Sequence, residues 1–360
     1  MRILTSTDAG FVPPHEWDEI VAGAADGHLL QTWAWGELKA AYGWTPRRYL
    51  AEQDGAAVAA AQVLYRRLGP YTMGYVPKGP ALLSADPAVA EALWAAVHAG
   101  AHSMRAIALK VEPEWLDGDT AAHARLRAWG FTPGGETVQP RRTIVVDIGG
   151  SEDEILARMK PKWRYNIRLS ARKGVVVEEN GPEEIGPFYE LMVVTGQRDG
   201  FGVHSRAYYQ RAYDLFAPLG RARLFLARYE GAPLGGLMAF AFNGTAYYMY
   251  GASSNAHREL MPNHQLQWRA MQWARAQGCR RYDFWGITDV EGDLASAALS
   301  GVERFKAGFG GRVVRTVGAY DHVYRPLLHR LLQFAWARRR AHGAAGAVPE
   351  ATPAESTPED

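Results

Sequence analysis

The chain of 360 residues holds a single cysteine, Cys279, and no apolar run that approaches the roughly 20 residues of a membrane span. One cysteine excludes an internal disulfide and a zinc site built on a cysteine pair, so a reducing compartment is expected. The first residues, Met1-Arg2-Ile3-Leu4-Thr5, open no sustained apolar core of signal-peptide length, and the expected location is the cytoplasm. No H-E-x-x-H helix, Walker glycine loop or Ser/His/Asp order is present, and the 11 histidines are scattered without ligand spacing. No metal and no cofactor are therefore assigned. Lysine is scarce as well, since 33 of the 40 basic residues are arginine. The formal net charge of +2 hides this bias, because the arginines cluster and would meet an anionic partner as patches.

What is present suits two domains: 360 residues exceed one ordinary core, and 48% hydrophobic content fills two. Residues 28–43 have the aromatic spacing of a short helix, followed by a strand pair at 49–51 and 57–65 about a turn at Asp54-Gly55. Pro77-Lys78-Gly79-Pro80 breaks the pattern. Residues 85–105 and 121–129 predict helices around a buried strand at 107–111, and 143–148 predicts another strand. Ser151-Glu152-Asp153-Glu154 opens a helix with an acidic first turn, and the domain boundary is placed there, giving a first domain of residues 1–150. The second, 151–325, repeats the order with helices at 187–195 and 205–216, a meander at 222–229, 235–242 and 246–250, a helix at 263–277 closed by Gly278, and a strand at 281–285. The expected class is α/β (α+β), a diverged duplication with mixed sheets flanked by helices. Residues 326–342 predict a basic C-terminal helix, and 343–360, small and acidic at the end, a disordered tail.

Two segments carry chemistry. In Glu303-Arg304-Phe305-Lys306-Ala307-Gly308-Phe309-Gly310-Gly311 a lone lysine stands between phenylalanines that would exclude water and strengthen its pull on a developing negative charge. The glycines that follow permit a tight turn and close approach to a ligand. The bland alternative is a strand end whose lysine snorkels to solvent. Residues 158–173 contain Arg158, Lys160, Lys162, Arg164, Arg168, Arg172 and Lys173 and no acidic residue, with Trp163 and Tyr165 placed to stack on a base or sugar. Such a run suggests nucleic acid or phosphate, and its interrupted spacing favours RNA or a nucleotide sugar over a DNA-groove module. Gln197-Arg198-Asp199-Gly200-Phe201-Gly202 matches the Q-x-x-G-x-G loop that holds the pyrophosphate of acetyl-CoA. It follows a predicted helix rather than a strand, and reads as a helix-to-helix connection. Cys279, after a helix-stop glycine, reads as a small core residue.

Taken in order, several segments resemble the FemABX family, the non-ribosomal peptidoglycan aminoacyltransferases that use aminoacyl-tRNA. They are residues 31–39 (QTWAWGELK), Pro77-Lys78-Gly79-Pro80, residues 162–174 (KWRYNIRLSARKG), Tyr250-Gly251-Ala252-Ser253-Ser254, residues 262–268 (PNHQLQW), residues 282–287 (YDFWGI) and the Phe305-Lys306 segment. The resemblance covers most of residues 28–325 and implies two tandem domains of the GCN5-related N-acetyltransferase (GNAT) fold. Without a sustained heptad run, the compact form that lacks the family's coiled-coil arm is expected.

The resemblance further implies that Lys306, with Phe305, stabilises the acyl-transfer transition state. Lys39, Arg206, Tyr209, Tyr250 and Lys78 would hold the precursor, either UDP-MurNAc-pentapeptide or lipid II. Lys162, Arg164, Arg168, Arg172 and Lys173 are expected to contact the tRNA, and no DNA partner is expected. Glu112 and Asp283, at strand ends, are either a general base or structural acceptors. The basic C-terminal helix, ending Arg338-Arg339-Arg340, fits tRNA contact and peripheral membrane contact equally. An acyl-CoA-dependent N-acyltransferase and a catalytically silent tRNA- or precursor-binding protein stand as the alternatives.

Overall fold

The computed structural model describes residues 1–289 and 301–341. It forms two compact units, one made of Met1–Gln139 with the chain from Thr316 onward, the other of Pro140–Arg315. In chain order the first unit comprises β1 (Arg2–Thr5), α1 (Pro14–Gly23), α2 (Trp33–Ala40), β2 (Trp44–Gln53), β3 (Ala56–Leu68), β4 (Tyr71–Pro77), β5 (Ala81–Leu82), α3 (Pro87–Ser103), β6 (Ala106–Glu112), α4 (Thr120–Ala128) and β7 (Thr132–Pro133). The second comprises β8 (Arg142–Asp147), α5 (Glu152–Arg158), α6 (Pro161–Arg172), β9 (Val176–Asn180), α7 (Ile185–Asp199), α8 (Arg206–Phe216), β10 (Ala222–Tyr229), β11 (Ala232–Phe242), β12 (Thr245–Ser253), α9 (Pro262–Ala276), β13 (Arg281–Gly286), α10 (Gly301–Ala307) and β14 (Arg312–Arg315). The chain then returns to the first unit with β15 (Tyr320–Val323) and α11 (Pro326–Ala341).

In the first unit the sheet order is β1-β2-β3-β4-β6-β15-β7, with β5 on β3. Asp54 (φ +52°) and Gly55 (φ +81°) supply the two positive-φ residues that a two-residue hairpin between β2 and β3 requires. The odd-numbered residues Ala59, Ala61, Val63 and Tyr65 join the core under α3, whose Val89, Leu93, Val97 and Ala101 recur at helical spacing. β3 pairs with β5 at Ala59–Ala60 and with β4 from Leu64, which leaves a gap in the ladder. The Gln31 side chain fills it. Its Nε2 donates to the carbonyls of Pro77 (2.7 Å) and Gln62 (3.3 Å), and its Oε1 accepts from the Gln62 N–H (2.7 Å).

The second unit is ordered β14-β8-β13-β12-β11-β10-β9. Its antiparallel meander β10-β11-β12 turns at Glu230-Gly231 and Asn243-Gly244, all four residues at positive φ. α9 then carries the chain to β13, which runs parallel to β12, as α3 carries it from β4 to the parallel β6 in the first unit. This is the duplication the sequence suggested, on tandem GNAT-like domains with mixed sheets and flanking helices. The longest helix among the described residues, α3, has 17 residues, and α7 and α8 are joined by residues 200–205 without a helical arm.

The expected boundary at residue 150 is corrected to 139/140. β8 hydrogen-bonds β13 on one side and β14 on the other, so residues 142–147 belong to the second sheet. Residues 316–325, expected in the second domain, return to the first sheet, where β15 pairs with β6 and β7. The expected tail at 343–360 lies outside the described residues, while the expected basic helix is α11. Among the described residues no helix is long and apolar enough to cross a membrane.

Replacing Gln31 by alanine leaves the Gln62 N–H and the Pro77 carbonyl buried without their partner, which costs on the order of 3 kcal/mol. Equilibrium denaturant unfolding of Gln31→Ala is expected to show that loss, with the transition of the first unit moved to lower denaturant.

Candidate active site

The two parallel strand pairs differ at their ends. In the first unit β4 and β6 stay paired to Pro77↔Glu112, whereas in the second β12 and β13 are paired only from Thr245↔Arg281 to Tyr247↔Asp283. Beyond that point β12 remains with β11 up to Ser253, with a bulge opposite Met238/Ala239, and β13 continues to Gly286. The strands part, and Lys306 stands where they do. Its Nζ donates to the Gly286 carbonyl (2.6 Å) at the end of β13 and lies 5.9 Å from the centroid of the Tyr248 ring on β12.

Each neighbour holds this lysine in place. Lys306 lies on α10, whose buried Glu303 accepts from the Thr288 N–H (2.9 Å). The Trp163 Nε1–H donates to the Phe305 carbonyl (2.9 Å), and the Lys160 N–H donates to the Gly308 carbonyl (2.9 Å), which fastens the end of α10 to the start of α6. Phe305, His264 and Phe309 pack on one another edge to face or tilted, with centroids 5.2–6.1 Å apart. At the end of β13, Trp285 adopts φ +59°, an outlier for a bulky residue. Asp283 stabilises that turn: its Oδ1 accepts from the Trp285 N–H (2.7 Å) and from the Thr143 hydroxyl, which also reaches the Trp285 carbonyl (2.9 Å).

Lys306 is 7% exposed, and burial lowers its amine to about 8, against the opposing attraction of Asp283 and Glu303. It remains mostly protonated near pH 7. Burial also pushes the Tyr248 hydroxyl up to about 12 and lowers His264 to about 4, so the tyrosine stays protonated and the imidazole stays neutral. Asn166 Nδ2 lies 3.1 Å from His264 Nε2. The result is a buried cation beside an aromatic ring where two strands part, an arrangement suited to offsetting negative charge as it develops on a bound acyl group.

The other expected residues fall into distinct places. Tyr209 and Tyr250 come together in the second unit, centroids 5.2 Å apart, and the Tyr250 hydroxyl donates to that of Tyr208 (3.3 Å). Arg206 is exposed at the first turn of α8, whose N-cap is Ser205. Lys39 and Lys78 belong to the first unit. Lys39 lies 4.9 Å above the Trp35 ring, and Lys78 is buried in an ion pair with Glu114 (2.7 Å).

On α6, Lys162, Tyr165, Arg168 and Arg172 are exposed at i, i+3, i+6 and i+10, one stripe, with Lys173 exposed at its end. Arg164 departs from that reading. Its Nη1 donates to the carbonyls of Leu156, Ala157 and Met159 (2.6–3.4 Å), closing the C-terminus of α5. Trp163, read from the sequence as a stacking platform, is instead a wall of the lysine site.

The expected role of the glycines is likewise corrected. A Cβ at Gly308 would fall 2.0 Å from the Trp163 ring and one at Gly310 2.3 Å from the Arg158 carbonyl, so these glycines admit protein rather than ligand. Glu112 accepts from Tyr75 (2.6 Å) and from the Val138 and Gln139 N–H groups, and with Asp283 it serves as a structural acceptor. Gly200 caps α7 with φ +73°, so the Gln197 segment is a helix-to-helix connection. Cys279 is buried, its thiol pushed up to about 11. Sequence reasoning did not find Tyr248, Gly286, His264 or Asn166. Their signals were the tyrosines of 247–250 and the segments KWRYNIRLSARKG, PNHQLQW and YDFWGI, none of which names a role for them.

Fold and site define a tandem GNAT-type acyltransferase. Residues 158–307 match the model of the acetyltransferase (GNAT) domain, and residues 12–127 match that of the FemAB family. The crystal structure of FemX superposes with a TM-score of 0.83 at 27% identity, covering 92% of this chain and 99% of that one. A tandem GNAT protein from the clavulanic acid biosynthesis pathway superposes with a TM-score of 0.51 at 15% identity, 78% of this chain and 83% of that one, a likeness of fold. The lipid II:glycine glycyltransferase of Staphylococcus haemolyticus is 29% identical over 393 aligned positions, which span 88% of this chain and 93% of the relative. That alignment is longer than this chain, so the relative carries residues that this one lacks. The chain belongs to the FemABX family and is an aminoacyltransferase.

Lysine buried below its ordinary value destabilises the fold while charged. The penalty is whole below pH 8, about 3 kcal/mol, and is relieved as pH rises from about 8 towards 10.5. Lys306→Met is expected to raise the unfolding free energy at pH 7 by up to that amount, less the lost bond to Gly286. Urea titrations at a series of pH values should show the gap to the wild type closing between pH 8 and 10.5.

Proposed function

We propose that this protein moves an amino acid from aminoacyl-tRNA to the stem-peptide amine of a peptidoglycan precursor, with lipid II as the acceptor and UDP-MurNAc-pentapeptide as its soluble counterpart. The observation that carries the reading is the buried Lys306 ammonium at the parting of β12 and β13, with one N–H engaged by the Gly286 carbonyl. The named activity of the staphylococcal relative supports the acceptor. The exposed basic stripe of α6 supports an RNA-borne donor.

In this mechanism the stem-peptide amine attacks the ester carbonyl carbon, the C–N bond forms, and the ester C–O bond breaks to release the tRNA hydroxyl. The amine gives up its proton and the departing oxygen gains one, so no protein nucleophile is needed. Lys306 offsets the oxyanion charge, an effect on the order of 3 kcal/mol when one such donor is lost. The peptide amine and the ester are brought to attack distance by binding, which supplies the remainder. Arg206, Tyr209 and Tyr250 are assigned to the precursor in the second unit, Lys39 and Lys78 in the first. Lys162, Arg168, Arg172 and Lys173 are assigned to the tRNA.

Transfer of a radiolabelled amino acid from charged tRNA to lipid II is the test, run with glycine, alanine and serine. Lys306→Met should reduce the rate about a hundredfold or more. Because the ammonium is the acting form, the wild-type rate should fall as pH rises through about 8; a rate that climbs there would make Lys306 a base instead. Failure of every charged tRNA with both acceptors would sink the reading.

Arg168→Gln with Arg172→Gln should raise the KM for tRNA, leave kcat nearly unchanged and flatten the salt dependence of KM by about two phosphate contacts. Unaltered tRNA affinity across a salt series would remove α6 from the donor site.

A further inference from the structure

α11 is the element whose surface the site does not explain. It lies against β6 in the first unit with Leu328 and Leu332 half-buried, so its packing needs are met on that side. Its other side is apolar nonetheless. Leu327 is 76% exposed, Leu331 64% and Phe334 62%, at positions i, i+4 and i+7 of one face. Single exposed apolar residues are ordinary, but a stripe of large ones along one helix marks a surface that meets something apolar.

The charges on the helix have one sign. Its sequence from Pro326 to Ala341 contains no aspartate or glutamate, while Arg330 and Arg338 are exposed and Arg338 lies 5.3 Å over the Phe334 ring. Arginine beside exposed leucine and phenylalanine is what an anionic lipid surface selects: the aliphatic and aromatic groups enter the headgroup boundary and the guanidinium groups meet lipid phosphate. A nucleic acid selects the charges without an aliphatic stripe, which is the pattern of α6 and not of α11. With 16 residues, about 24 Å long, α11 lies along such a surface and does not cross it.

We propose that α11 is a membrane-interface helix that seats the first unit on an anionic bilayer, Leu327, Leu331 and Phe334 inserting and Arg330 and Arg338 pairing with headgroups. Resting on the lipid-linked acceptor of the proposed function, this gives the protein a place to wait where its substrate is confined to two dimensions.

Co-sedimentation of the full chain with vesicles tests it, using phosphatidylcholine alone and phosphatidylcholine containing phosphatidylglycerol, with no tRNA or precursor present. Binding to the anionic vesicles is expected, several-fold above that to neutral ones and weakened by salt. Leu331→Ser with Phe334→Ser should abolish it. Arg330→Gln with Arg338→Gln should reduce it about thirtyfold, from roughly fivefold per surface charge. Both variants should keep wild-type thermal unfolding and the wild-type rate on UDP-MurNAc-pentapeptide, which separates a failure of the helix from a failure of the transferase reading.

Equal, baseline sedimentation with both vesicle types would overturn the proposal. So would a dimer in solution that the double serine variant disperses, since the stripe would then be an interface between copies. A loss of tRNA affinity in the arginine variant without a loss of vesicle binding would likewise overturn it.

Discussion

The parting of β12 and β13 after Tyr247↔Asp283 is the constraint on which the second unit's chemistry depends. Two neighbouring strands that separate leave main-chain N–H and C=O groups without ladder partners, and buried polar groups of that kind must be satisfied or paid for. Gly286 is such a case: its carbonyl, at the free end of β13, is taken by the Lys306 ammonium. The same parting that creates the need for a donor therefore places a buried cation between the two strand ends. In the first unit β4 and β6 instead stay paired to the end of both strands, at Pro77↔Glu112.

Holding a cation there requires rigidity. Asp283 fixes the left-handed turn at Trp285, and Thr143 on β8 bridges the two, so the direction of the Gly286 carbonyl is set by a strand from the opposite edge of β13. From the other side, Trp163 and Lys160 fasten α10 by its last carbonyls. A buried ammonium is costly to desolvate, and its lowered value near 8 reflects that the attraction of Asp283 and Glu303 offsets the cost only in part. The remaining imbalance is what a developing oxyanion would relieve, which is how a site poor for stability becomes good for charge stabilisation.

Much of this was legible beforehand where local chemistry decides. The turns at Asp54-Gly55, Glu230-Gly231 and Asn243-Gly244 marked their hairpins, the capping residues Ser151 and Ser205 marked helix starts, and the phenylalanines around Lys306 marked the lysine. What could not be read depends on long-range pairing. Residues 142–147 are plainly a strand, but nothing in their alternation says that they pair with β13 and β14, so the domain boundary fell some ten residues late. Tyr248 and Gly286 acquire roles only because their strands diverge. Arg164 and Trp163 sit in a basic run whose charge pattern points to RNA, yet the carbonyls at the end of α5 and of Phe305 claim them. Composition cannot separate a guanidinium that caps a helix from one that waits for phosphate.

The start of α9 bears on which acyl donor this version of the fold admits. A pyrophosphate held after β12 would need free amides at that helix N-terminus and glycines that let it approach. Here the connection passes through His257 (φ +52°) and Met261 (φ +57°), bulky residues in left-handed conformations. Pro262 at the first helical position has no N–H, and the His264 N–H donates to the Met261 carbonyl (3.1 Å). Two of the first amides of α9 are thus not offered to a pyrophosphate. On the proposed reading the acyl group arrives on an RNA carrier, and within the second unit the exposed Lys162, Tyr165, Arg168 and Arg172 of α6 offer a charged and aromatic surface next to the helix turn that anchors Lys306. A carrier with a repeating phosphate backbone can use such an extended grip, whereas the short diphosphate of CoA needs one compact nest of amides, and this exchange of a point contact for a stripe favours the RNA-borne donor.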